Sequence, residues 1–338
     1  MKKRNDMLRF LTVIAGFILF GMVLAIYPIR VDPHNVFHAE HIRDNGVEPN
    51  KNYIKMKHVL KKTDTFDALM FGSSRVGALH VEEIAEEHCY NMAYSEGTPA
   101  EHLANLKTLI KKKVPFKKVY IGVDSLSYTI DASTHRTTLF RMPYEMSVKD
   151  PLHFWLRYLD GSMAIASLEV SAGHTPEEGF AEHFYRIGEY YEYGREPDPS
   201  WHTEDSEPVI GSGMYPEETL EAIREICRIC NENGIEPVFF TNPLSTLTLE
   251  ASLKRGYADF LRQLSGITGF YNFSGYNRFT EDDGNFIDGS HYLPEVGREM
   301  LLVLQGQEPG EEEAAQGFGL YVTAENVEEV LETAGMAA

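Results

Sequence analysis

The 338-residue chain is poor in cysteine, tryptophan and positive charge. Three cysteines are too few for a disulfide framework; a pairing of Cys227 with Cys230 stays open, and cysteine usage does not decide the redox compartment. Lys and Arg number 31 against 51 Asp and Glu, for a formal charge of -20. That deficit argues against a surface that binds nucleic acid or anionic lipid by neutralising phosphates, which takes clustered cations. The acidity itself names no partner. With 43% hydrophobic and 24% charged residues, the composition is that of a globular protein with ample core material. The length fits one α/β domain carrying an insertion and an anchor.

Phe10 to Ile29 is a run of twenty residues without a formal charge. That is about one bilayer span. Lys2, Lys3, Arg4 and Arg9 precede it. By the positive-inside tendency the N-terminus is expected in the cytoplasm and everything after Arg30 outside, as a single-pass cell-membrane protein. The run is long and lacks a small-x-small cleavage site, which favours an uncleaved anchor over a signal peptide. It also lacks the polar stripe of a buried core helix. The expected layout is a cytoplasmic stub and anchor over 1–30 and a juxtamembrane linker with a first helix over 31–65. An α/β domain with an insertion over about 125–215 follows over 66–305, then an acidic loop with a last strand and helix over 306–338.

Residues 31–60 are polar and mixed in charge, as in a solvated linker. His34, His38 and His41 would share a helix face, but Pro33 and the weak apolar period favour the linker over a metal site. Ala68–Phe71, Val119–Val123 and Val238–Phe240 are short apolar runs that read as buried strands. Helical segments lie between them, the alternation of a parallel sheet covered on both faces. Thr98 to Lys113 opens with Thr98, Pro99 and Glu101 in capping-box spacing. Pro216 to Asn233 has acids in its first turn and Gly234 to end it. Cys227 and Cys230 stand near the end of that helix, where the dipole does not activate a thiol, so they read as part of its apolar stripe.

The strand and helix rhythm lapses over about 125–215, an insertion rich in aromatics such as Tyr185, Tyr190, Tyr191, Tyr193 and Trp201. These read as local core, with sugar stacking as the alternative.

Two constellations carry chemistry. Phe71-Gly72-Ser73-Ser74-Arg75 places serines directly after the first strand, where open α/β sheets present functional groups. Backbone N–H groups at the start of the next helix would face a developing oxyanion there. Asp288 and His291, three residues apart in a probable loop of the C-terminal part, supply a base and the carboxylate that orients it.

Gly72-Ser73-Ser74 early and Asp288-x-x-His291 late occur in the order of the SGNH, or GDSL-like, hydrolases, which this chain resembles over roughly Phe66 to Leu304 apart from the insertion. Asn91-Met92-Ala93-Tyr94-Ser95-Glu96-Gly97-Thr98 is similar to the family's second block and Ile121-Gly122-Val123-Asp124 to its third. The resemblance implies a three-layer α/β sandwich around a parallel sheet, SGNH- or flavodoxin-like. It also implies Ser74 as nucleophile, His291 as base, Asp288 as its partner and Gly97 as a backbone oxyanion donor. Asp124 departs from the pattern, since it replaces the family's asparagine donor and an ionised aspartate only accepts hydrogen bonds. It is expected to order its loop or bind the Arg75 guanidinium, and Arg75 to offset the lost donor.

A leading membrane helix, Gly-Ser-Ser in place of Gly-Asp-Ser and the missing third-block asparagine resemble the tethered proteins that acylate alginate and teichoic acids. The resemblance implies an extracytoplasmic esterase or O-acyltransferase acting on an acylated cell-envelope or secreted polysaccharide, or a small acyl ester. A membrane-bound acyl-donor protein would be its partner, and no metal or organic cofactor is implied. The alternatives are a non-catalytic SGNH-like module that binds polysaccharide or scaffolds an assembly, and an intracellular lipid esterase, against which the basic N-terminus argues.

Overall fold

The computed structural model describes residues 2–173, 180–188, 201–203 and 205–337. Its strands are β1 (Ala68–Phe71), β2 (Cys89–Asn91), β3 (Lys118–Val123), β4 (Glu236–Thr241), β5 (Phe270–Asn272) and β6 (Leu320–Val322). The helices that matter below are α1 (Lys2–Val31), α2 (Pro99–Lys111), α3 (Tyr144–Lys149), α4 (Pro151–Arg157), α5 (Gly161–Ser171), α6 (Pro216–Glu232), α7 (Pro294–Leu304) and α8 (Val327–Thr333).

The chain divides into two compact units, one of residues 1–54 and 135–181 and one of residues 55–134 and 182–338. The second holds a six-stranded sheet in the order β2-β1-β3-β4-β5-β6, parallel except for antiparallel β6 at the edge. Helices lie on both of its sides. The run Ala68–Phe71 is buried at every residue, as a central parallel strand must be when both faces are covered. Alternation sends Ala68 and Met70 to one face, where they share a core with Tyr120, Phe240 and, from α7, Val296 and Met300. Phe71 points the other way and meets the His102 ring of α2 at 5.4 Å. Fully burying side chains such as Leu69 and Phe71 stabilises by about 1.5–3 kcal/mol each.

The three apolar runs appear as β1, β3 and β4, and the last strand and helix as β6 and α8. Two three-residue strands, β2 and β5, went unread, since each ends in an asparagine that interrupts its short apolar run. Strand order reverses on either side of β1: β2 lies at one flank and β3 at the other. The loops after β1 and β3 leave the sheet at such a point, the place at the carboxyl ends of the strands where open α/β sheets present functional groups.

The first unit contains α1, which over Asn5–Val31 is long and apolar enough to cross a membrane and has no buried residues in its most apolar stretch. The segment after it is not a solvated linker. Asp32 is wholly buried, and its carboxylate accepts from the N–H groups of Val36 (2.9 Å) and His38 (2.7 Å). Asn35 closes a second turn through Arg43, exchanging bonds of 2.8 and 2.9 Å. Asp32 and Asn35 take positive φ (51° and 57°), the conformation that short polar residues tolerate best after glycine. His34 is buried against the Glu48 carbonyl, and burial lowers its pKa. Among the described residues no cluster could hold a metal ion. Residues 135–181 of the expected insertion belong to this first unit and build α3, α4 and α5.

Candidate active site

Ser73 and Ser74 follow β1 and open a single-turn helix, Ser74–Ala78. Gly72 is needed here, because a Cβ would meet Val76 Cγ2 at 2.2 Å. The tight turn separates the two hydroxyls. Ser73 is buried, and its hydroxyl donates to Asp124 Oδ2 over 3.4 Å. Ser74 is half-buried and its Oγ lies 2.9 Å from His291 Nε2.

His291 sits on a loop pinched by a bridge between Phe286 and Tyr292 and by the Ile287 N–H donating to the His291 carbonyl at 2.8 Å. Phe286 and Tyr292 are both fully buried, so the loop is anchored at its base while its tip carries polar groups. Asp288 lies one turn before the histidine, with Oδ1 and Oδ2 at 3.0 and 2.9 Å from Nδ1. Its Oδ1 also accepts from the N–H groups of Ser290 (2.7 Å) and His291 (2.9 Å). Burial pushes this carboxyl up, but the imidazole and the two N–H groups outweigh it and hold its pKa at about 2. A carboxylate ionised at all ordinary pH thus keeps the proton on Nδ1 and turns the Nε2 lone pair toward Ser74.

Arg75 points inward and is completely buried. Its Nη1 pairs with Asp124 Oδ1 at 2.7 Å, its Nε donates to Ser290 Oγ at 3.1 Å, and its Nη2 donates to the Val209 carbonyl at 2.8 Å. One guanidinium therefore ties the serine turn to the loop after β3 and to the histidine loop. Asp124 is equally occupied. Beyond Arg75 and Ser73 it accepts from the Leu126 N–H at 2.7 Å and from Asn242 Nδ2 at 2.9 Å. The two roles foreseen for it, ordering the loop and holding Arg75, occur together. Both groups are buried and bound to one another and to neighbouring loops, so neither is presented to an oxyanion beside Ser74.

Gly97 lies in the turn before α2, after Glu96 at φ 57°. A Cβ on Gly97 would come within 2.5 Å of the Gly72 carbonyl oxygen and 2.9 Å of His102 Cε1, so only glycine lets this loop pack against the serine turn. Its N–H donates to the Tyr94 carbonyl at 3.0 Å. The N–H of Ser74, in the first turn of its helix, has no acceptor within that helix and is the donor best placed for an oxyanion. Thr98 stands at the N-cap of α2, but its hydroxyl donates to Glu101 Oε2 (3.2 Å) instead of a backbone N–H.

Three residues that sequence reasoning passed over complete the site. Asn242, directly after β4, holds Asp124 and accepts from Tyr292 Oη at 3.3 Å. Ser290 receives Arg75, and Ser245 donates to the Gly289 carbonyl at 2.9 Å. Only Asn242 had a local signal, a polar residue at the carboxyl end of a buried strand. Of the aromatic residues, Trp201 stacks on His202 at 5.1 Å and packs on Phe286 at 6.4 Å, which makes it a support of the histidine loop. Tyr190, Tyr191 and Tyr193 lie outside the described residues. Cys227 and Cys230 are free thiols on α6, and burial pushes Cys230 up to about 12, the reverse of a reactive thiol. In comparisons with known proteins, no family model matches the chain and no curated protein matches it.

Proposed function

We propose that this protein is a serine-dependent ester hydrolase or O-acyltransferase of SGNH type. The observation that carries the reading is the unbroken line Ser74 Oγ, His291 Nε2, His291 Nδ1, Asp288, with each step at 2.9 Å. Ser74 Oγ attacks an ester carbonyl while His291 Nε2 takes its proton, and Asp288 stabilises the imidazolium that results. The tetrahedral oxyanion rests on the Ser74 N–H. Collapse breaks the ester C–O bond, the leaving alcohol receives the proton from Nε2, and an acyl-Ser74 remains. A water or sugar hydroxyl then gives its proton to Nε2 and attacks the acyl carbon, which returns the free serine. The chemistry is complete with these side chains.

The strand order, with Ser74 at the reversal, supports the SGNH- or flavodoxin-like sandwich. Lys2, Lys3, Arg4 and Arg9 before the apolar run support a cytoplasmic N-terminus and an extracytoplasmic site. In that compartment the substrate class is an acylated envelope or secreted glycan, served by a membrane-bound acyl donor.

A second reading, a non-catalytic glycan-binding or scaffold module, is favoured by Asp124 at the third-block position and by the Gly97 N–H already bonded to Tyr94. Loss of one oxyanion donor typically costs about 100- to 1,000-fold in rate, which slows ester chemistry without abolishing it. Treating the full-length protein with a fluorophosphonate and finding the labelled residue by mass spectrometry separates the two. Labelling at Ser74 that disappears in Ser74→Ala and His291→Ala is the expected result. A folded protein that stays unlabelled supports the binding module.

A further inference from the structure

Outside α1, nine large apolar side chains among the described residues are exposed, and six of them fall between positions 148 and 168: Val148, Leu152, Leu156, Leu159, Ile165 and Leu168. Leu152 and Leu156 stand one turn apart on α4, and Ile165 and Leu168 share a face of α5. The exposure is large, at 72% for Leu152 and 60% for both Ile165 and Leu168. Scattered apolar residues on a protein surface are ordinary, but a concentration of this kind marks a surface that something covers.

The neighbour of the patch identifies the cover. Helix α5 packs on the C-terminal end of α1, where the Tyr27 hydroxyl lies 2.7 Å from Ser171 Oγ and 3.2 Å from the Ser167 carbonyl oxygen. Leu168 falls between those two serines in sequence, and Ile26 beside Tyr27 is 59% exposed. The apolar surface of α1 therefore continues onto α5. Tyrosine and tryptophan favour the level of lipid headgroups, and Tyr27 here marks that level on α1. The charges are arranged to match. Helix α5 has one charged residue, Glu169, and Arg157 of α4 is paired with Asp160 and donates to the Thr137 carbonyl at 2.7 Å. Arg157 is the one Lys or Arg of α4 and α5 and it is engaged, so the attraction of these two helices is apolar.

We infer that α4 and α5 lie on the bilayer at the end of α1, with Leu152, Leu156, Ile165 and Leu168 in the boundary between headgroups and acyl chains. The first unit is then held by a span and by a surface contact together, and the contact does not require anionic lipid. This inference rests on α1 being embedded in the membrane and is independent of the chemistry at Ser74.

The test is nitroxide accessibility in the full-length protein, reconstituted into phosphatidylcholine vesicles. Labels go on cysteines introduced singly at positions 152, 156, 165 and 168, with Phe17→Cys as the lipid reference and Glu299→Cys as the water reference. The unsubstituted chain supplies the background from its native thiols. At the four patch positions the effect of a water-soluble nickel chelate should be lost and that of oxygen retained, at a depth of about 5–10 Å. Nickel access at these positions equal to that at Glu299→Cys, with Phe17→Cys lipid-like, overturns the surface contact and leaves the span. Exclusion of both reagents overturns it in favour of cover by protein, such as a second copy. Nickel access at Phe17→Cys overturns the span and the inference with it.

Discussion

The loop after β3 and the loop before α7 each bring an aspartate to the carboxyl ends of the strands, and the two aspartates do opposite work. Asp124 is buried and its oxygens are taken up by Arg75, Asn242, Ser73 and the Leu126 N–H. Asp288 is partly exposed, and although two N–H groups of its own loop hold Oδ1, both of its oxygens also face one imidazole. A carboxylate whose side-chain partners are a buried guanidinium, amide and hydroxyl fixes architecture, whereas one whose side-chain partner is a single half-exposed ring is suited to orienting that ring. The partners decide the role, and the two adjacent serines divide accordingly: Ser73 goes with Asp124 and Ser74 with His291.

The comparison breaks at once if the wrong serine reacts. Ser74→Ala should abolish fluorophosphonate labelling, and His291→Ala should slow it by about 10⁴-fold or more, read from the time course of adduct formation. Asp288→Asn should cost up to about 10⁴-fold in the same assay, because it removes the charge that fixes the Nδ1 proton and adds an NH2 donor that favours the other tautomer. The same substitution exposes the pH signature. The depressed folded-state pKa of Asp288 contributes stability that is fully present above the ordinary aspartate range and is lost as pH falls toward about 2. The difference in denaturation midpoint between wild type and Asp288→Asn should therefore be constant from neutral pH down to about pH 5 and shrink below it.

On the architectural side the readout is stability. Arg75→Met strands the buried Asp124 charge and should cost about 3–5 kcal/mol in urea unfolding. Arg75→Met combined with Asp124→Asn should recover part of that loss. The smallest effect belongs to Ser73→Ala, which removes one long hydrogen bond: about 1 kcal/mol or less in stability, with Ser74 labelling unchanged. A large loss of labelling in Ser73→Ala would erase the division between the serines.

The fold was legible where burial produces a pattern longer than a turn. β1, β3 and β4 are buried on both faces and so read as continuous apolar runs, while β2 and β5 are short runs that an asparagine interrupts. Asp288-x-x-His291 could be read because both residues act within one loop. The bond from Arg75 to Ser290 joins residues 215 apart and leaves no local trace. The segment from Asp32 to Asn50 was misread for a related reason. Polar residues that satisfy buried backbone groups look, in sequence, like polar residues that face water, and only the positive φ of Asp32 and Asn35 and their bonds distinguish the two.

The contact between Ser74 and His291 joins residues 217 apart, and Arg75 reaches forward almost as far. Closing a loop of that length costs only slightly more entropy than closing one half as long. During synthesis, however, the chain cannot close it until His291 has been made. The membrane-length helix precedes the histidine loop in the chain, so it is made while Ser74 still lacks both Asp288 and His291. On the proposed chemistry, Ser74 stays without its base until that loop has emerged.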